Sequence, residues 1–578
     1  MSTAEERAKG RVKKKRSVAV PLLTVLLVVL VGAAVSAHFL RENDPGTEPG
    51  RDPEPVVEPE PQPLEVRTMY IASDTETATV TVYDAEDQPR ELTMIRGTEV
   101  QRVVEELEEG ALPRIVVDED SFAYVAEENL AEDPDHAVTT RTVYARRTVN
   151  LLDQSGVTPG ELVQRGQALT VTGFEGLDDS GAVSRWQVEG GYIRADLTAL
   201  TKAEATAVSD PEALAFHAER GNPYGGGEAG ELDYEPRVKP HFEDNPMPEV
   251  VKALYLNNVA ISHAEDYIAI ADTCGINAFV VDIMDGGAIG YQSPVMQAFS
   301  PSAYAGAYNT VERYQSNVAK LKEAGYYVIG RITAFNDPNL AVDRPECVIS
   351  DTDGNPLMVV GMYWPSVYDR TVWQYKVDLA VEAVELMGFN EIQFDYMRFP
   401  DGAWRYEEAG TIDYHNTYGE SKAQAVQRFL AYAAQRLHDK GVYVSCDVFG
   451  ECAFGYVTAY GQYWPALSAV VDAISAMPYP DHYPAQGDYL PWEHPYETVL
   501  AFARDASERQ TETPGEPAAV RTWIQAYNAI REPYPRYGPD EVGAEIRALV
   551  DGGCTGGYMT WNAASSTEKY WYLTPAFE

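Results

Sequence analysis

Cysteine and histidine are scarce in this chain, and neither occurs at the spacing of a metal or redox site. Its five cysteines lie far apart, and Cys446 and Cys452 lack the two-residue gap of a redox pair. The nine histidines are scattered, which argues against the paired ligands of a zinc deacetylase. We therefore predict buried thiols, with one disulfide as the alternative, and neither a metal nor a cofactor.

Positive charge is also in short supply. The chain has 45 Lys and Arg residues against 89 Asp and Glu residues, a formal net charge of -44. Because nucleic-acid binding needs a basic face to contact phosphates, this balance excludes nucleic acid as a partner. With 45% hydrophobic residues and 37 tyrosines the chain is not a disordered polyanion either. Its 578 residues predict about two to four domains.

A cluster of basic residues stands at the N-terminus, in residues 1–17. An uncharged, apolar run follows at residues 18–40 and is long enough to cross a bilayer as a helix. Because basic residues stay on the cytoplasmic side, we predict a single-pass cell-membrane protein whose C-terminal bulk is extracellular. A cleaved signal peptide is the alternative, since Val35, Ser36 and Ala37 resemble a small-residue cleavage site.

A spacer and two small β-rich modules come next. Residues 41–65 are dominated by Pro, Glu, Asp and Gly, cannot bury a core and are predicted to form an extended, self-repelling linker. Short β-rich runs then form two weakly similar units, residues 66–138 and 139–200. This repeat predicts two small all-β barrels in tandem.

The second module carries short motifs of a known family. Thr-Val-Asn-Leu-Leu at 148–152 precedes Gly-Gln-Ala-Leu-Thr-Val at 166–171 and Trp-Gln-Val at 186–188. With these motifs, residues 142–200 resemble the bacterial SH3-like domain. The resemblance implies that the module binds cell-wall peptides, and the alternative is a spacer that packs on the domain after it.

After a connection at residues 201–247, the segment 248–578 alternates apolar strands with amphipathic helices. Eight such strands in about 330 residues predict a (β/α)8 TIM-type barrel. An open doubly wound sheet is the alternative, but no Gly-rich phosphate turn follows the first strand. The predicted strands are 250–256, 278–284, 327–333, 391–396, 442–448, 473–477, 521–526 and 557–561. The predicted helices are 264–274, 311–324, 372–387, 422–440, 496–509 and 539–551, three of them stopped by Gly275, Gly325 and Gly388.

Polar residues stand at or just past the ends of most predicted strands. In a barrel the C-terminal ends of the strands share one rim, where barrel enzymes place their chemistry. Aromatic residues crowd the same loops, and aromatic faces beside carboxylates and amides are what sugar rings require. We therefore predict a sugar-binding rim. Its polar residues, in strand order from the second to the eighth, are Asp282, Asp285, Arg331, Asp395, Asp447, Asp481, His482, Gln525, Trp561 and Asn562.

The fourth predicted strand places a carboxylate where burial is unfavourable. Ile392 and Phe394 share one face of this strand, whereas Asp395 lies on the other. A buried carboxylate needs a partner or a use. Two interpretations are open: an ion pair of Asp395 with Arg398, or a catalytic carboxylate on the barrel rim.

Five motifs, in order across residues 248–573, carry a resemblance to a known family. They lie at 275–286, 328–338, 388–400, 445–450 and 477–483, and include Phe-Asp-Tyr-Met-Arg-Phe-Pro at 394–400. With them the segment resembles a bacterial family of glycoside hydrolase domains related to the α-amylase type of barrel. The resemblance implies hydrolysis of a polysaccharide. Asp481 departs from the family, in which a serine is expected.

On this resemblance we expect a membrane-anchored extracytoplasmic glycoside hydrolase that acts on a cell-envelope or environmental polysaccharide. Asp395 is the expected nucleophile or charge stabiliser, with Asp447 or Glu451 as general acid/base. The alternative is a non-catalytic carbohydrate- or wall-binding protein. The expected substrate-binding residues are Asp282, Asp285, Arg331, Arg398, Tyr479, His482, Gln525, Trp561 and Asn562.

The separation of the two carboxylates predicts the stereochemical outcome. A distance near about 5.5 Å suits retention, and about 6.5 to 9.5 Å suits inversion. We favour retention, with Arg398 keeping Asp395 ionised. Its partner must hold a proton, which requires burial near Phe449 or Trp561.

Overall fold

A nearly closed barrel of parallel strands occupies the C-terminal part of the chain, as predicted. The computed structural model describes residues 64–83, 88–118, 121–221 and 224–578. The strands follow sequence order around the barrel, and the eighth pairs with both the first and the seventh. The seventh is in two pieces that meet at Arg521. The strands are Val251–Leu256, Ala278–Asp285, Tyr327–Thr333, Glu391–Asp395, Tyr443–Phe449, Ala473–Met477, Ala519–Val520 with Thr522–Gln525, and Gly557–Trp561.

Helices follow the strands and end close to where the sequence predicts. Gly388 ends its helix in the left-handed conformation, with φ +70°. Gly275 does not stop a helix, because its helix already ends at Ala271. Gly275 instead allows the backbone of Phe577 to approach closely. The Gly275 N–H donates to the Phe577 carbonyl at 3.2 Å, and a Cβ on Gly275 would lie 2.6 Å from that carbonyl oxygen. The main helices are Ala264–Ala271, Val311–Glu323, Arg370–Met387, Lys422–His438, Pro495–Thr511 and Pro539–Asp551.

Two apolar cores separate the inward and outward faces of the barrel strands. Val251, Ala253 and Tyr255 of the first strand belong to the core inside the barrel. Leu254 and Leu256, which alternate with them, belong to the larger core between strands and helices. Every second residue of a strand therefore points into the barrel, where polar groups need partners.

An ion pair lies buried at the N-terminal end of the barrel. Arg521 Nη1 donates to Glu391 Oε2 at 2.5 Å, and Tyr327 Oη donates to the same oxygen at 3.0 Å. Both charged side chains are 1% exposed. One layer higher, Gln393 Nε2 lies 3.3 Å from Ser475 Oγ. The inward face of the fourth strand is thus polar over its whole length.

Two seven-stranded antiparallel sheets precede the barrel and share one strand order: third, second, sixth, fifth, fourth, first, seventh. In each, a short 3-10 turn leads into the last strand. The first sheet has strands Val66–Ile71, Thr77–Tyr83, Pro89–Ile95, Glu99–Val103, Arg114–Asp118, Ser121–Tyr124 and Leu130–Ala131. The second has Thr142–Ala145, Val149–Leu152, Pro159–Val163, Ala168–Leu177, Val183–Val188, Gly191–Arg194 and Thr198–Ala199.

The second module packs directly on the barrel helices. Arg370 Nε donates to Asn150 Oδ1 at 3.0 Å, and Tyr432 Oη donates to the Val157 carbonyl at 2.6 Å. Arg194 pairs with Asp439 at 2.8 Å. Through these contacts the second module forms an interface with the helices Arg370–Met387 and Lys422–His438.

The predicted membrane anchor, residues 18–40, and the linker, residues 41–65, lie outside the described residues except for 64 and 65. Within the described part of the chain, no helix is long and apolar enough to span a membrane. The five cysteines are all free, four of them buried and Cys274 half-buried.

We expect Arg521→Met to lower the free energy of unfolding of the barrel by about 3 to 5 kcal/mol, because it leaves Glu391 buried without its cation. The double variant Glu391→Gln/Arg521→Met removes both charges and should recover most of that loss. Urea denaturation of the three proteins measures the difference. Equal destabilisation in the single and double variants would contradict the coupling.

Candidate active site

Four carboxylates gather around one guanidinium at the C-terminal end of the barrel. Arg331 Nη1 donates to Asp282 Oδ1 at 2.7 Å, and Nη2 donates to Asp395 Oδ2 at 2.5 Å. Asp285 lies farther out, at 3.3 Å, and Asp447 Oδ2 is 3.7 Å from Arg331 Nε. Arg331, Asp282 and Asp447 are almost completely buried, and Asp395 is 5% exposed.

Strand register brings these side chains together at the same end of the barrel. Asp282 pairs directly with Arg331 on the neighbouring strand, and Asp395 pairs with Thr333, two residues beyond Arg331. Asp282, Arg331 and Asp395 stand on the inward face of strands two, three and four, as the alternation predicts. The cluster is therefore a consequence of where the inward positions fall near the strand ends.

One cation cannot neutralise four carboxylates, so the cluster must also hold protons. Burial raises the pKa of Asp447 well above its ordinary value, and the negative charge of Asp395 raises it further. Burial also raises the pKa of Asp282 to about 7, although its bond to Arg331 favours the ionised form. Both effects favour the protonated form of Asp447. Its Oδ2 atom has no hydrogen-bond partner.

Aromatic side chains orient the cluster from inside the barrel. Trp523 Nε1 donates to Asp447 Oδ1 at 2.7 Å, and Tyr255 Oη donates to Asp282 Oδ2. The rings of Trp561 and Tyr255 face the Arg331 guanidinium at 5.3 and 5.8 Å. Sequence reasoning missed Tyr255, although its inward position near the end of the first strand was a usable signal.

Asp395 is followed by a backbone turn that changes the course of the chain. Tyr396 adopts the left-handed conformation at φ +51°, which is unfavourable for a tyrosine, and its N–H donates to Asp395 Oδ1 at 2.6 Å. The turn carries Arg398 away from Asp395. The expected ion pair of Asp395 with Arg398 is therefore wrong, and Arg331 takes that place.

An open cleft with a cavity volume of about 570 Å³ lies above the cluster. Six of the expected substrate-binding residues line it, namely Asp285, Arg331, Arg398, Tyr479, His482 and Trp561. Asp282, Gln525 and Asn562 do not line it and are buried. The cleft is further lined by Asp395, Tyr396, Asp401, Phe449, Gly450, Glu451, Phe454, Tyr460, Met477, Tyr483, Pro484 and Trp523.

The two candidates for general acid/base are held differently. Glu451 lines the cleft and accepts hydrogen bonds from Tyr456 Oη at 3.0 Å and Tyr460 Oη at 2.7 Å. Asp447 lies below the cleft and does not line it. Because Arg331 contacts both Asp395 and Asp447, the nearest oxygens of those two carboxylates are no more than about 9 Å apart.

Asp481, the residue that departs from the family pattern, orients a neighbour in the cleft wall. Asp481 is buried, and its Oδ1 accepts a hydrogen bond from Tyr527 Oη. The same oxygen lies 2.8 Å from His482 Nδ1. The backbone N–H of Asp481 donates to Gln525 Oε1 at 3.3 Å. Gln525 therefore supports the loop after strand six and does not reach the cleft.

The barrel, the buried carboxylates at its C-terminal end and the aromatic cleft above them define a barrel enzyme of the glycoside hydrolase class. A family model described as "Putative glycosyl hydrolase domain" matches residues 253–567, more than half of the chain. The chain belongs to this family and is a glycosidase by family. No curated protein matches it.

Several solved structures are similar to this chain. A hypothetical protein from Ruminiclostridium thermocellum is 30% identical over 34% of this chain and 97% of its own, with a TM-score of 0.29. The PgaB (BpsB) glycoside hydrolase domain from Bordetella bronchiseptica is 12% identical over 56% and 99%, with a TM-score of 0.39. A class V chitinase from Pseudomonas fluorescens is 13% identical over 57% and 100%, at 0.35.

We expect Asp282→Asn to flatten the pH dependence of stability between about pH 4 and pH 7. The folded protein keeps the Asp282 proton up to a pKa of about 7, whereas the unfolded chain loses it near the ordinary 3.8, so stability falls as pH rises through this window. The variant should remove up to about 1.4 kcal/mol per pH unit of that slope. Denaturant unfolding at four pH values measures it, with the exposed Asp353→Asn as control.

Proposed function

We propose that the protein hydrolyses glycosidic bonds of a polysaccharide with a pair of carboxylates in the barrel cleft. The supporting observation is the position of Asp395. It is held by Arg331 at the floor of an open, aromatic cleft that a second carboxylate, Glu451, also lines. The cleft thus has one carboxyl group on its floor and another on its wall, and hydrolysis of a glycosidic bond requires such a pair.

Asp395 is the proposed nucleophile. Its Oδ2 accepts a hydrogen bond from Arg331 and its Oδ1 accepts one from the N–H of Tyr396. The same two contacts fix the side chain in one orientation. A carboxylate held in one orientation at the cleft floor is suited to attack the anomeric carbon and to stabilise the positive charge that develops there.

Proton transfer to the leaving oxygen is assigned to Glu451 in preference to Asp447. A general acid must reach the leaving group within hydrogen-bonding distance, and Glu451 lines the cleft whereas Asp447 lies below it. Asp447 instead holds a proton beneath Arg331 and anchors the indole of Trp523, which forms part of the cleft wall. With Asp447 neutral, the charge of Arg331 is shared by Asp395, Asp282 and the more distant Asp285.

The aromatic wall supplies the surface for the sugar rings. Trp523, Trp561 and Tyr479 belong to or border the core inside the barrel and also line the cleft, so their ring positions are fixed by packing. Rigid aromatic faces stack on the C–H faces of sugars with little loss of side-chain freedom. Attack by Asp395 inverts the anomeric carbon and forms a glycosyl-enzyme as the leaving oxygen takes the proton of Glu451. Attack by a water that Glu451 deprotonates inverts the carbon again and frees Asp395, so net retention is part of the proposal.

A non-catalytic carbohydrate-binding role is the second candidate. It is favoured by one observation: Arg331 already pairs with Asp395 at 2.5 Å, as it would in a purely structural cluster. A binding protein would use the aromatic wall but would not depend on the charge of Asp395.

Attachment to the membrane through residues 18–40 and binding of the cell wall by the β modules complete the proposal. The sequence pattern of the anchor supports the first. The second rests on the resemblance of residues 142–200 to SH3-like domains. Both would place the cleft outside the cell, where the strongly acidic surface of the chain is well solvated.

We expect Asp395→Asn to lower turnover by several orders of magnitude while glycan binding is kept, because the amide is nearly isosteric but a poor nucleophile. Reducing-end release from a panel of wall and storage polysaccharides measures turnover, and affinity electrophoresis measures binding. Turnover that survives the substitution would favour the binding-protein role.

Glu451→Gln provides the matched comparison. It should slow hydrolysis of natural glycans by about 10²- to 10⁴-fold but affect aryl glycosides with good leaving groups far less, since those need no protonation. Asp447→Asn should not show that dependence on the leaving group. The reverse pattern would assign the acid to Asp447.

We expect the full-length protein to fractionate with membranes, with its C-terminus digested by protease added from outside. A variant lacking residues 18–40 is the control and should lose the membrane association. Recovery of a soluble mature form that begins near His38 would establish the signal-peptide alternative.

A further inference from the structure

Arg398 is a buried cation without an ionic partner. Its side chain lines the cleft, and the residue is only 7% exposed. Nη1 donates to the Phe399 carbonyl at 3.2 Å, and Nε has no hydrogen-bond partner. No carboxylate among the described residues forms an ion pair with it, whereas each of the other buried arginines of the barrel has one, namely Arg331, Arg370, Arg509 and Arg521.

Aromatic rings surround this guanidinium. Phe449, Tyr396 and Trp364 lie with their ring centroids 4.2, 5.0 and 5.1 Å from its central carbon, and Tyr460 lies at 6.0 Å. Such contacts hold the side chain and offset part of the cost of burying its charge. They do not replace the hydrogen bonds that a guanidinium loses on leaving water. Burial accordingly lowers the pKa of Arg398.

The carboxylates around Arg398 form no ion pair with it. Asp395 is bound by Arg331, and Glu451 by two tyrosine hydroxyls. Asp395 and Asp401, which both line the cleft, act on Arg398 only through space. The positive charge of Arg398 is therefore available to a molecule that enters the cleft.

We propose that Arg398 recognises an anionic group on the substrate, a carboxylate, sulfate or phosphate carried by a sugar bound beside Asp395. This inference rests on the proposed function, and it names the substrate class as an acidic glycan. The planar guanidinium matches the oxygens of such groups, and binding them would give Arg398 the partner that the protein does not supply. A neutral glycan would leave the charge unpaired.

Binding to an inactive protein tests this proposal without requiring turnover. The full chain carrying Asp395→Asn is titrated with pairs of oligosaccharides that differ only in the anion. The pairs are oligogalacturonate and hyaluronan fragments with their carboxyl-reduced forms, carrageenan fragments with their desulfated form, and phosphomannan with its dephosphorylated form. At least one acidic member should bind about 10- to 100-fold more tightly than its neutral partner. The pair that shows the preference identifies the anion.

Arg398→Met, added to the same chain, should abolish that preference while the neutral member keeps its affinity within about threefold. Arg405→Met removes a positive charge from an exposed arginine that does not line the cleft, and it should leave the preference intact. Because Arg398 is unpaired, Arg398→Met should unfold at the same temperature as its parent or higher.

Two results would overturn the proposal. One is the absence of any preference for the acidic member in all four pairs. The other is an equal loss of acidic and neutral binding in Arg398→Met together with a lower melting temperature, which is the result expected of a purely structural arginine. Hydrolytic activity is measured in a separate experiment. If the protein proves not to be a hydrolase, the binding preference still tests the role of Arg398.

Discussion

The top of the barrel is organised by a shortage of positive charge. Taking each carboxylate out of water is unfavourable by several kcal/mol, and Arg331 supplies only one compensating charge for the group around it. Protons must therefore occupy part of the cluster, and burial determines which part. Burial raises the pKa of Asp447, which is enclosed beneath Trp523, whereas Asp395 accepts hydrogen bonds from Arg331 and from the N–H of Tyr396. Differences in environment thus give similar side chains different roles.

The barrel could be predicted well because its strands have a simple alternation. Near-continuous apolar runs ended by a polar residue indicate buried parallel strands, and Tyr327–Thr333, Ala473–Met477 and Gly557–Trp561 begin and end where the pattern places them. The position of Asp395, Arg331 and Asp447 at one end follows from the same alternation. Periodicity of two is a local property, so it can be recognised without knowing the three-dimensional structure.

Contacts that depend on a particular backbone turn could not be predicted. Proximity in sequence made Arg398 the obvious partner for Asp395, but a left-handed tyrosine between them sends the arginine into an aromatic cage. The residue types do not indicate this turn, because tyrosine rarely adopts the left-handed conformation. Likewise, Asp447 and Glu451 lie four residues apart, and only the strand end at Phe449 decides which of them reaches the cleft.

The pairing of the first barrel strand with the eighth has a consequence for synthesis. Val251 lies beside Gly557, so about 300 residues must leave the ribosome before the first strand obtains its second neighbour. The two β modules, whose strand pairs are all local, can fold long before that. Until the last strand emerges, the growing barrel has an exposed edge of unpaired backbone groups, the feature most prone to aggregation. The second module, which packs on the helices Arg370–Met387 and Lys422–His438, can fold before the eighth strand is made. It can then cover part of the incomplete barrel.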